Sequence, residues 1–282
     1  MSFASRDLNY EKPVEVSENT YWVGFEDAIT GFHCNPYLLI DGDEAVLLDG
    51  GSRPDFSSVM MKILETRIDP KNISTLIYHH YDPDLCGSIP NLENIINNPN
   101  LRILSKSENN SFIKYYAVKS PLQSIDAFNN EFRFKSGRLL RFFHTPYAHS
   151  AGSFMTYDEQ SGILFTSDIC GSYDAGGEWS LYFEMNDKCL SCDTNSNKIT
   201  DLFKCKSIGS SCPLVALLNF QRQVMTSNAA LRNALAIIRK VKPKMIAPQH
   251  GSIIHKPDDI EFILKKLEET NDIGIDGILT DA

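Results

Sequence analysis

The sequence predicts an α/β fold. Short segments rich in Val, Ile, Leu and Phe alternate along the chain with longer segments whose apolar residues recur at helical spacing. This alternation is typical of sheets covered by helices and not of an all-β barrel. The 282 residues, 42% of them hydrophobic, suffice for a full core. We expect one domain over 1–282, with a cysteine-containing insertion at about 186–213.

The elements follow from local patterns. Strands are predicted where short apolar runs are bounded by Gly, Asp, Asn or Ser. In chain order they are 21–26, 37–42, 44–50, 74–80, 101–107, 138–145, 153–158, 162–168 and 244–250. Helices are predicted where apolar residues recur every three or four positions. They are 55–67, 107–116, 227–240 and 257–271, and the last begins with a proline and two aspartates, a common helix start.

Composition argues against some classes of function. The net charge of −9 does not suit general nucleic-acid binding, which needs a basic face. No apolar run approaches the roughly 18 residues of a membrane span, and the first residues, MSFASRDLNYEKP, lack the apolar core of a signal peptide. We therefore expect a cytoplasmic protein without a membrane segment. Seven cysteines without an export signal make stable structural disulfides unexpected.

The segment YHHYDPDLCGSIP, at 78–90, carries the clearest chemistry. It places His80, Asp82 and Asp84 at alternating positions just after an apolar run. Where a strand ends and turns, alternate side chains point towards one place. Imidazole and carboxylate groups are the usual ligands of hard or borderline divalent ions, so this segment predicts part of a metal site.

Three later segments supply further ligands at or just past the end of a predicted strand. TPYAHSAGS contains His149, LFTSDICG contains Asp168, and IAPQHG contains His250. With the first segment they give three histidines and three aspartates. This set suffices for two metal ions with one carboxylate between them.

In this order the four segments resemble the metallo-β-lactamase fold. Zinc hydrolases of that fold usually read His-x-His-x-Asp-His in the first segment, whereas flavodiiron proteins read His-x-Glu-x-Asp. The order here, HYDPD from His80 to Asp84, has a carboxylate in the third place. It resembles the flavodiiron branch, and within it the oxygen-binding diiron proteins that lack a flavodoxin domain. The resemblance implies a four-layer αβ/βα sandwich with the metals at the edge between its two sheets.

The resemblance also implies roles for the six residues. The first iron would be held by His80, Asp82 and His149, the second by Asp84 and His250, and Asp168 would bridge the two. Mixed imidazole and carboxylate sets suit non-heme iron, manganese or zinc, and the extra negative charge of an aspartate in the third place favours iron.

Two departures from the family pattern matter. Asp82 stands where flavodiiron proteins mostly carry Glu, so its carboxylate reaches one methylene less far. Leu85 stands where the family often has a histidine ligand to the second iron. Leucine cannot ligate, so the second iron is expected to keep an open position for dioxygen or nitric oxide.

Other residues have weaker assignments. Asp49 would order the metal loops or simply end a strand, and His33 would line the site or, as we prefer, serve as a structural histidine. His79 should face away from His80 and be structural, because neighbouring side chains of a strand alternate. His144 and His255 are expected to be structural or exposed, and Cys34, Cys86 and Cys170 to be small buried residues.

The insertion contains four cysteines, namely Cys189, Cys192, Cys205 and Cys212. They admit three interpretations: an additional structural zinc site, a redox-active pair at Cys189 and Cys192, or plain reduced thiols. The first pair has the Cys-x-x-Cys spacing of zinc sites but the second does not, so all three stay open.

Three functions remain. The first is an oxygen-binding diiron protein that acts as a sensor or carrier, because we expect no flavodoxin or rubredoxin domain here; relatives of this kind serve chemotaxis signalling. The second is an enzyme, an oxygen or nitric oxide reductase fed by a separate electron donor. The third is a dinuclear zinc hydrolase, against which the carboxylate of Asp82 counts. A signalling or electron-transfer protein is the expected partner, and the resemblance makes a homodimer plausible.

Overall fold

The computed structural model describes residues 8–25, 32, 34–173, 179–185 and 212–279. Its first sheet has seven strands in the order β1-β2-β3-β4-β5-β6-β7. They are β1 (Val14–Ser17), β2 (Thr20–Trp22), β3 (Tyr37–Asp41), β4 (Glu44–Leu48), β5 (Ile73–Ile77), β6 (Arg102–Ser105) and β7 (Leu122–Ser124). The sheet is antiparallel from β1 to β4 and parallel from β4 to β7.

The second sheet has five strands in the order β12-β11-β10-β9-β8. They are β8 (Glu131–Arg133), β9 (Leu139–His144), β10 (Phe154–Asp158), β11 (Ile163–Phe165) and β12 (Met245–Ala247). Only the β11–β12 pair is parallel among these strands. All nine predicted strands overlap with observed ones, whereas the three- and four-residue strands β1, β7 and β8 were not predicted.

Helices cover the outer face of each sheet. They are α1 (Phe56–Glu65), α2 (Pro83–Cys86), α3 (Ile89–Ile96), α4 (Ser107–Ile113), α5 (Pro213–Val224), α6 (Asn228–Val241), α7 (Pro257–Glu269) and α8 (Ile275–Leu279). The four predicted helices are confirmed as α1, α4, α6 and α7, with α4 shorter because its last residues form a 3₁₀ turn at Lys114–Tyr116. The other four helices were not predicted.

Three apolar clusters define the layers. One lies between the sheets and includes Val46 and Leu48 of β4 together with Phe154 of β10. The second joins the five-stranded sheet to α5, α6 and α7, and the third joins the seven-stranded sheet to α1 and α3. Because Ala45 and Leu47 belong to the third cluster, both faces of β4 are buried, which explains its continuous apolar sequence. The predicted α/β sandwich of four layers is confirmed.

A buried arginine in an ion pair links the two sheets. The Arg138 guanidinium lies 2.6 Å from the carboxylate of Asp158 in β10. It also donates hydrogen bonds to the Thr20 hydroxyl and the Ile40 carbonyl of the first sheet. Among the helices described, none has the length and apolar character needed to cross a membrane.

Candidate metal centre

Chain reversals at the ends of strands bring the candidate ligands together. Strand β5 ends at Ile77, and the chain passes through His80 before α2 begins at Pro83. Asp82 is the residue before this helix, in extended conformation, and Asp84 lies in its first turn. Asp168 follows β11 and His250 follows β12, two neighbouring parallel strands whose carboxyl ends lie at one edge of the sheet.

The first half of the site contains two imidazoles and one carboxylate. The Nε2 atom of His149 lies 3.0 Å from Oδ2 of Asp82. The Nε2 atom of His80 lies 3.8 Å from the same carboxylate oxygen. The two histidine rings meet edge to face with centroids 4.8 Å apart. The Nε2 atoms of both histidines therefore lie near the same carboxylate oxygen of Asp82.

The second half contains one imidazole and one carboxylate. The Nε2 atom of His250 lies 3.3 Å from Oδ2 of Asp84. The His250 ring is buried and packs against the ring of Phe32 at a centroid distance of 4.5 Å and that of Phe220 at 5.7 Å. These aromatic neighbours fix the ring so that Nε2 faces the carboxylate.

Asp168 lies between the halves. Its Oδ2 is 3.4 Å from Nε2 of His149 and 3.9 Å from Nε2 of His80. Its Oδ1 is 3.6 Å from Nε2 of His250 and has no hydrogen-bond partner among the described residues, although the residue is only 3% exposed. Each oxygen of this carboxylate therefore faces a different half of the site.

These residues fit a pair of metal ions. A buried carboxylate oxygen without a hydrogen bond is costly unless a cation satisfies it. Ligand atoms fall within 4.8 Å of one another in three groups, which are His80, His149 and Asp168; His80, Asp82 and Asp84; and Cys34, Asp84 and His250. The donors are mostly imidazole and carboxylate, which suit first-row divalent ions.

Charges within the site reinforce one another in the metal-free protein. Burial alone would raise the pKa of Asp84, but the hydrogen bond and charge of His250 outweigh it and bring the pKa to about 2. Burial alone would lower the pKa of His149, yet the hydrogen bond to Asp82 and the charge of Asp168 raise it. The pKa of His250 is likewise raised against its burial, by Cys34 and Asp84.

Surrounding groups hold the ligands in place. The Nδ1 atom of His80 lies 3.0 Å from the Ser167 hydroxyl, which leaves Nε2 free to face the site. Gly251, next to His250, has φ +78, and a Cβ there would collide with Ser172. Both the backbone angle and the close approach require glycine at this position.

The prediction that His79 is structural is confirmed. Its Nδ1 lies 2.6 Å from Oδ2 of Asp49 and its Nε2 lies 2.8 Å from the Thr156 hydroxyl. Its backbone N–H also donates to Asp49, at 3.0 Å. Asp49 therefore fixes the residue next to His80, and its role in ordering the metal loops remains a prediction.

The other residues considered from the sequence lie as follows in the structure. His144 is half-buried, with Nε2 2.8 Å from the Asn130 side-chain oxygen, and His255 is also half-buried. Leu85 is fully buried in the cluster beneath α1 and α3. Cys212 is half-buried and immediately precedes α5. His33, Cys189, Cys192 and Cys205, with most of the predicted insertion, lie outside the described residues.

Two contacts of the site were not predicted from the sequence. Ser167 precedes Asp168 in the chain but meets His80 across 87 positions. Cys34 is buried, as predicted, but its Sγ lies 3.7 Å from Oδ2 of Asp84 and 4.0 Å from Nδ1 of His250. No local pattern marks either residue, although the Ser-Asp pair in LFTSDICG directly adjoins a predicted ligand.

Comparisons with known proteins agree with this architecture. An uncharacterized protein of Methanocaldococcus jannaschii is 28% identical over 270 residues, which cover 92% of this chain and 60% of the relative. The chain spans at most 60% of the length of the curated relatives that it matches here.

Solved structures share the fold. The chemotaxis sensor ODP from T. denticola in its apo state superposes with a TM-score of 0.69 at 23% identity, covering 94% of this chain and 96% of that one. A rubredoxin oxygen:oxidoreductase from Desulfovibrio gigas gives a TM-score of 0.71 at 19% identity, covering 92% of this chain and 61% of that one. A family model described as ODP family beta lactamase matches residues 32–251, which is most of the chain. The protein therefore belongs to the ODP family of beta-lactamase-like proteins.

Proposed function

We propose that this protein binds dioxygen at a diiron centre and acts as an oxygen sensor or carrier. The observation that carries the proposal is the position of Asp168. One of its oxygens faces His80 and His149, and the other faces His250 without a hydrogen bond from the described residues. A carboxylate in this position suits a bridge between two cations.

In this proposal the first iron is held by His80, Asp82 and His149, and the second by Asp84 and His250. Three aspartates offset most of the charge of two divalent ions, and three imidazoles complete a set that suits non-heme iron. Bound iron would supply the electrons for dioxygen binding. The side chains would hold its geometry and leave room at the second ion, because Leu85 replaces a possible ligand.

The sensor role is supported by family membership and by the names of relatives. The chemotaxis sensor ODP, whose fold this chain shares, has been solved as a peroxy diiron species. By analogy, oxygen binding here would be reported to a signalling protein in the cytoplasm. This partner, and a homodimer, are proposals that affinity capture under air and under nitrogen and sedimentation analysis would test.

A reductase is the second candidate. The neighbour from Desulfovibrio gigas is named an oxygen:oxidoreductase, and two curated relatives are named anaerobic nitric oxide reductase flavorubredoxins. In that case a separate electron donor would reduce the centre after each turnover, and the same six residues would hold it.

Oxygen uptake separates the two candidates. Anaerobic protein loaded with ferrous iron is mixed with a known amount of dioxygen, first alone and then with a generic flavodoxin and a reductant. A sensor or carrier is expected to take up dioxygen once in both mixtures, after which consumption stops. Continued consumption in the second mixture would favour the reductase. Asp168→Asn, loaded in the same way, is the control for uptake by unbound iron.

The cysteine segment remains a separate part of the proposal. Zinc at Cys189, Cys192, Cys205 and Cys212 would appear as a third metal equivalent after purification. Replacing Cys189 and Cys192 with serine should remove that equivalent and leave iron at the main site unchanged. A wild-type protein with no metal beyond two equivalents excludes the zinc interpretation and leaves a redox pair or plain thiols.

A further inference from the structure

We propose that Cys34 is a thiolate ligand of the second metal. The inference rests on the proposed dinuclear centre and adds to it a donor that the family resemblance did not supply. Cys34 lies before β3, on a segment far in sequence from the other ligands, and is only 2% exposed. Its Sγ lies 3.7 Å from Oδ2 of Asp84.

The distance between Cys34 and Asp84 matches that between two ligands of one ion, and the sulfur also lies 4.0 Å from Nδ1 of His250. With metal–nitrogen and metal–oxygen bonds of about 2.1 Å and a metal–sulfur bond of about 2.3 Å, neighbouring ligand atoms lie about 3 to 4 Å apart. Asp84 Oδ2 is 3.7 Å from the sulfur of Cys34 and 3.3 Å from Nε2 of His250. The three residues together offer ligand atoms that all lie within 4.8 Å of one another.

A second observation points to a cation at the same place. Oδ1 of Asp168 is buried, has no hydrogen-bond partner in the described part of the chain, and lies 3.6 Å from Nε2 of His250. An ion near this oxygen would also be within reach of Asp84. The unsatisfied carboxylate oxygen therefore faces His250, which belongs to the same group of three residues as Cys34.

The ligand set of the second metal and the charge balance of the site both favour Cys34 as a ligand. Leu85 is fully buried and cannot ligate, so the second half of the site has one imidazole where the first has two. A thiolate also adds a fourth negative charge to those of the three aspartates, which balances two divalent ions. As the metal–sulfur bond forms, the thiol proton is released to solvent, because a coordinating thiol is deprotonated.

The other described cysteines provide matched controls. Cys86 is fully buried, and its sulfur lies 3.6 Å from the backbone carbonyl of His80. Cys170 is 1% exposed and packs in the cluster beneath α5 to α7. Neither belongs to a potential metal-binding group found among the described residues.

The test uses cobalt(II), which gives intense near-ultraviolet absorption only when a thiolate is bound. The full chain with Cys189, Cys192, Cys205 and Cys212 replaced by serine is titrated anaerobically with cobalt, so that these cysteines cannot contribute. We expect two equivalents to bind, with the thiolate absorption developing as the second half of the site fills. Adding Cys34→Ser should abolish this absorption and lower the affinity for one of the two cobalt ions by about tenfold or more. Cys86→Ser and Cys170→Ser should retain it.

The outcomes separate this inference from the proposed function. Two outcomes would show that Cys34 is not a ligand while leaving the dinuclear centre in place. They are two bound cobalt ions without thiolate absorption, and thiolate absorption that survives Cys34→Ser. Cobalt binding that is unaffected by Asp168→Asn would overturn the centre itself. If the four-serine chain fails to fold by circular dichroism, the difference spectrum between Cys34→Ser and Cys86→Ser in the otherwise wild-type chain gives the same answer.

Discussion

The Ser167 hydroxyl lies 3.0 Å from Nδ1 of His80. A histidine that ligates through Nε2 uses Nδ1 to donate a hydrogen bond, and this bond fixes both its tautomer and its orientation. Ser167 precedes the proposed bridging residue Asp168, so one short segment positions two of the six candidate ligands.

Ser167→Ala should therefore weaken metal binding by about 10- to 100-fold without removing a ligand. Competition with a chelator of known affinity measures the change. Ser88→Ala is the matched control, because its buried hydroxyl donates to the Gly50 carbonyl and touches none of the six residues. Equal affinities for Ser167→Ala and Ser88→Ala would show that the hydroxyl does not position His80.

Asp168→Asn should lose most of the metal and keep the fold. The substitution preserves the size of the side chain, but it removes the charge that faces both halves of the site. Asp168 follows β11, so the strand itself is undisturbed. Elemental analysis should fall from two equivalents to below one, with unchanged circular dichroism. Asp43→Asn, whose side chain is 81% exposed, is the control. Two tightly bound ions in Asp168→Asn would show that Asp168 does not bridge the two metals.

Leu85→His should slow oxygen binding by adding a possible ligand at the second ion. Because Leu85 is fully buried, an imidazole that fails to reach metal would destabilise the protein by about 1–3 kcal/mol. Stopped-flow mixing with dioxygen and chemical denaturation of the metal-free protein measure the two effects. Leu85→Met, which is similar in volume, controls for packing. Oxygen kinetics identical to those of Leu85→Met would contradict an open position at this ion.

The metal-free and metal-loaded proteins should respond to pH in opposite directions. In the metal-free protein the pKa of His149 is raised, because its hydrogen bond to Asp82 and the charge of Asp168 outweigh burial. Its contribution to stability is therefore complete below about pH 6.5 and is lost as the pH rises through the folded pKa. The metal-loaded protein needs neutral imidazoles, so it loses metal as the pH falls.

Thermal unfolding between about pH 6 and pH 9 measures this difference. The Tm of the metal-free protein should fall as the pH rises, and His149→Gln should make that fall smaller, because only the raised pKa of His250 then remains. The carboxylate of Asp84, with a pKa of about 2, stays ionised throughout this range. Parallel pH profiles for the two forms would be inconsistent with paired imidazoles and carboxylates in the empty site.

Arg138→Leu should destabilise the fold by about 3–5 kcal/mol, because it leaves the buried carboxylate of Asp158 without its partner. Arg133→Leu, at a pair with Glu131 in which the arginine side chain is 59% exposed, should cost about 0–1 kcal/mol. Urea denaturation of the metal-free proteins gives both values. A cost below 1 kcal/mol for Arg138→Leu would show that this buried ion pair contributes little to stability.

The six candidate ligands could be predicted because each lies near the end of an apolar segment and contains a typical donor group. Helix α5 could not, because Leu214 to Gln221 are all buried, so no amphipathic period marks it. The contacts of Ser167 and Cys34 join residues 87 and 50 positions apart, and nothing in the local sequence encodes them. Strands β7 and β8 contain only three residues each, too few for a periodic pattern.

The proposed function requires that the histidines and aspartates hold two irons that bind dioxygen. The most direct measurement is the visible absorption spectrum of protein loaded anaerobically with two equivalents of ferrous iron, before and after the addition of air. We expect a band that develops on mixing and persists, and that is absent from Asp168→Asn treated in the same way. Failure to take up iron, or an unchanged spectrum with no uptake of oxygen, would show that these residues do not form an oxygen-binding diiron centre.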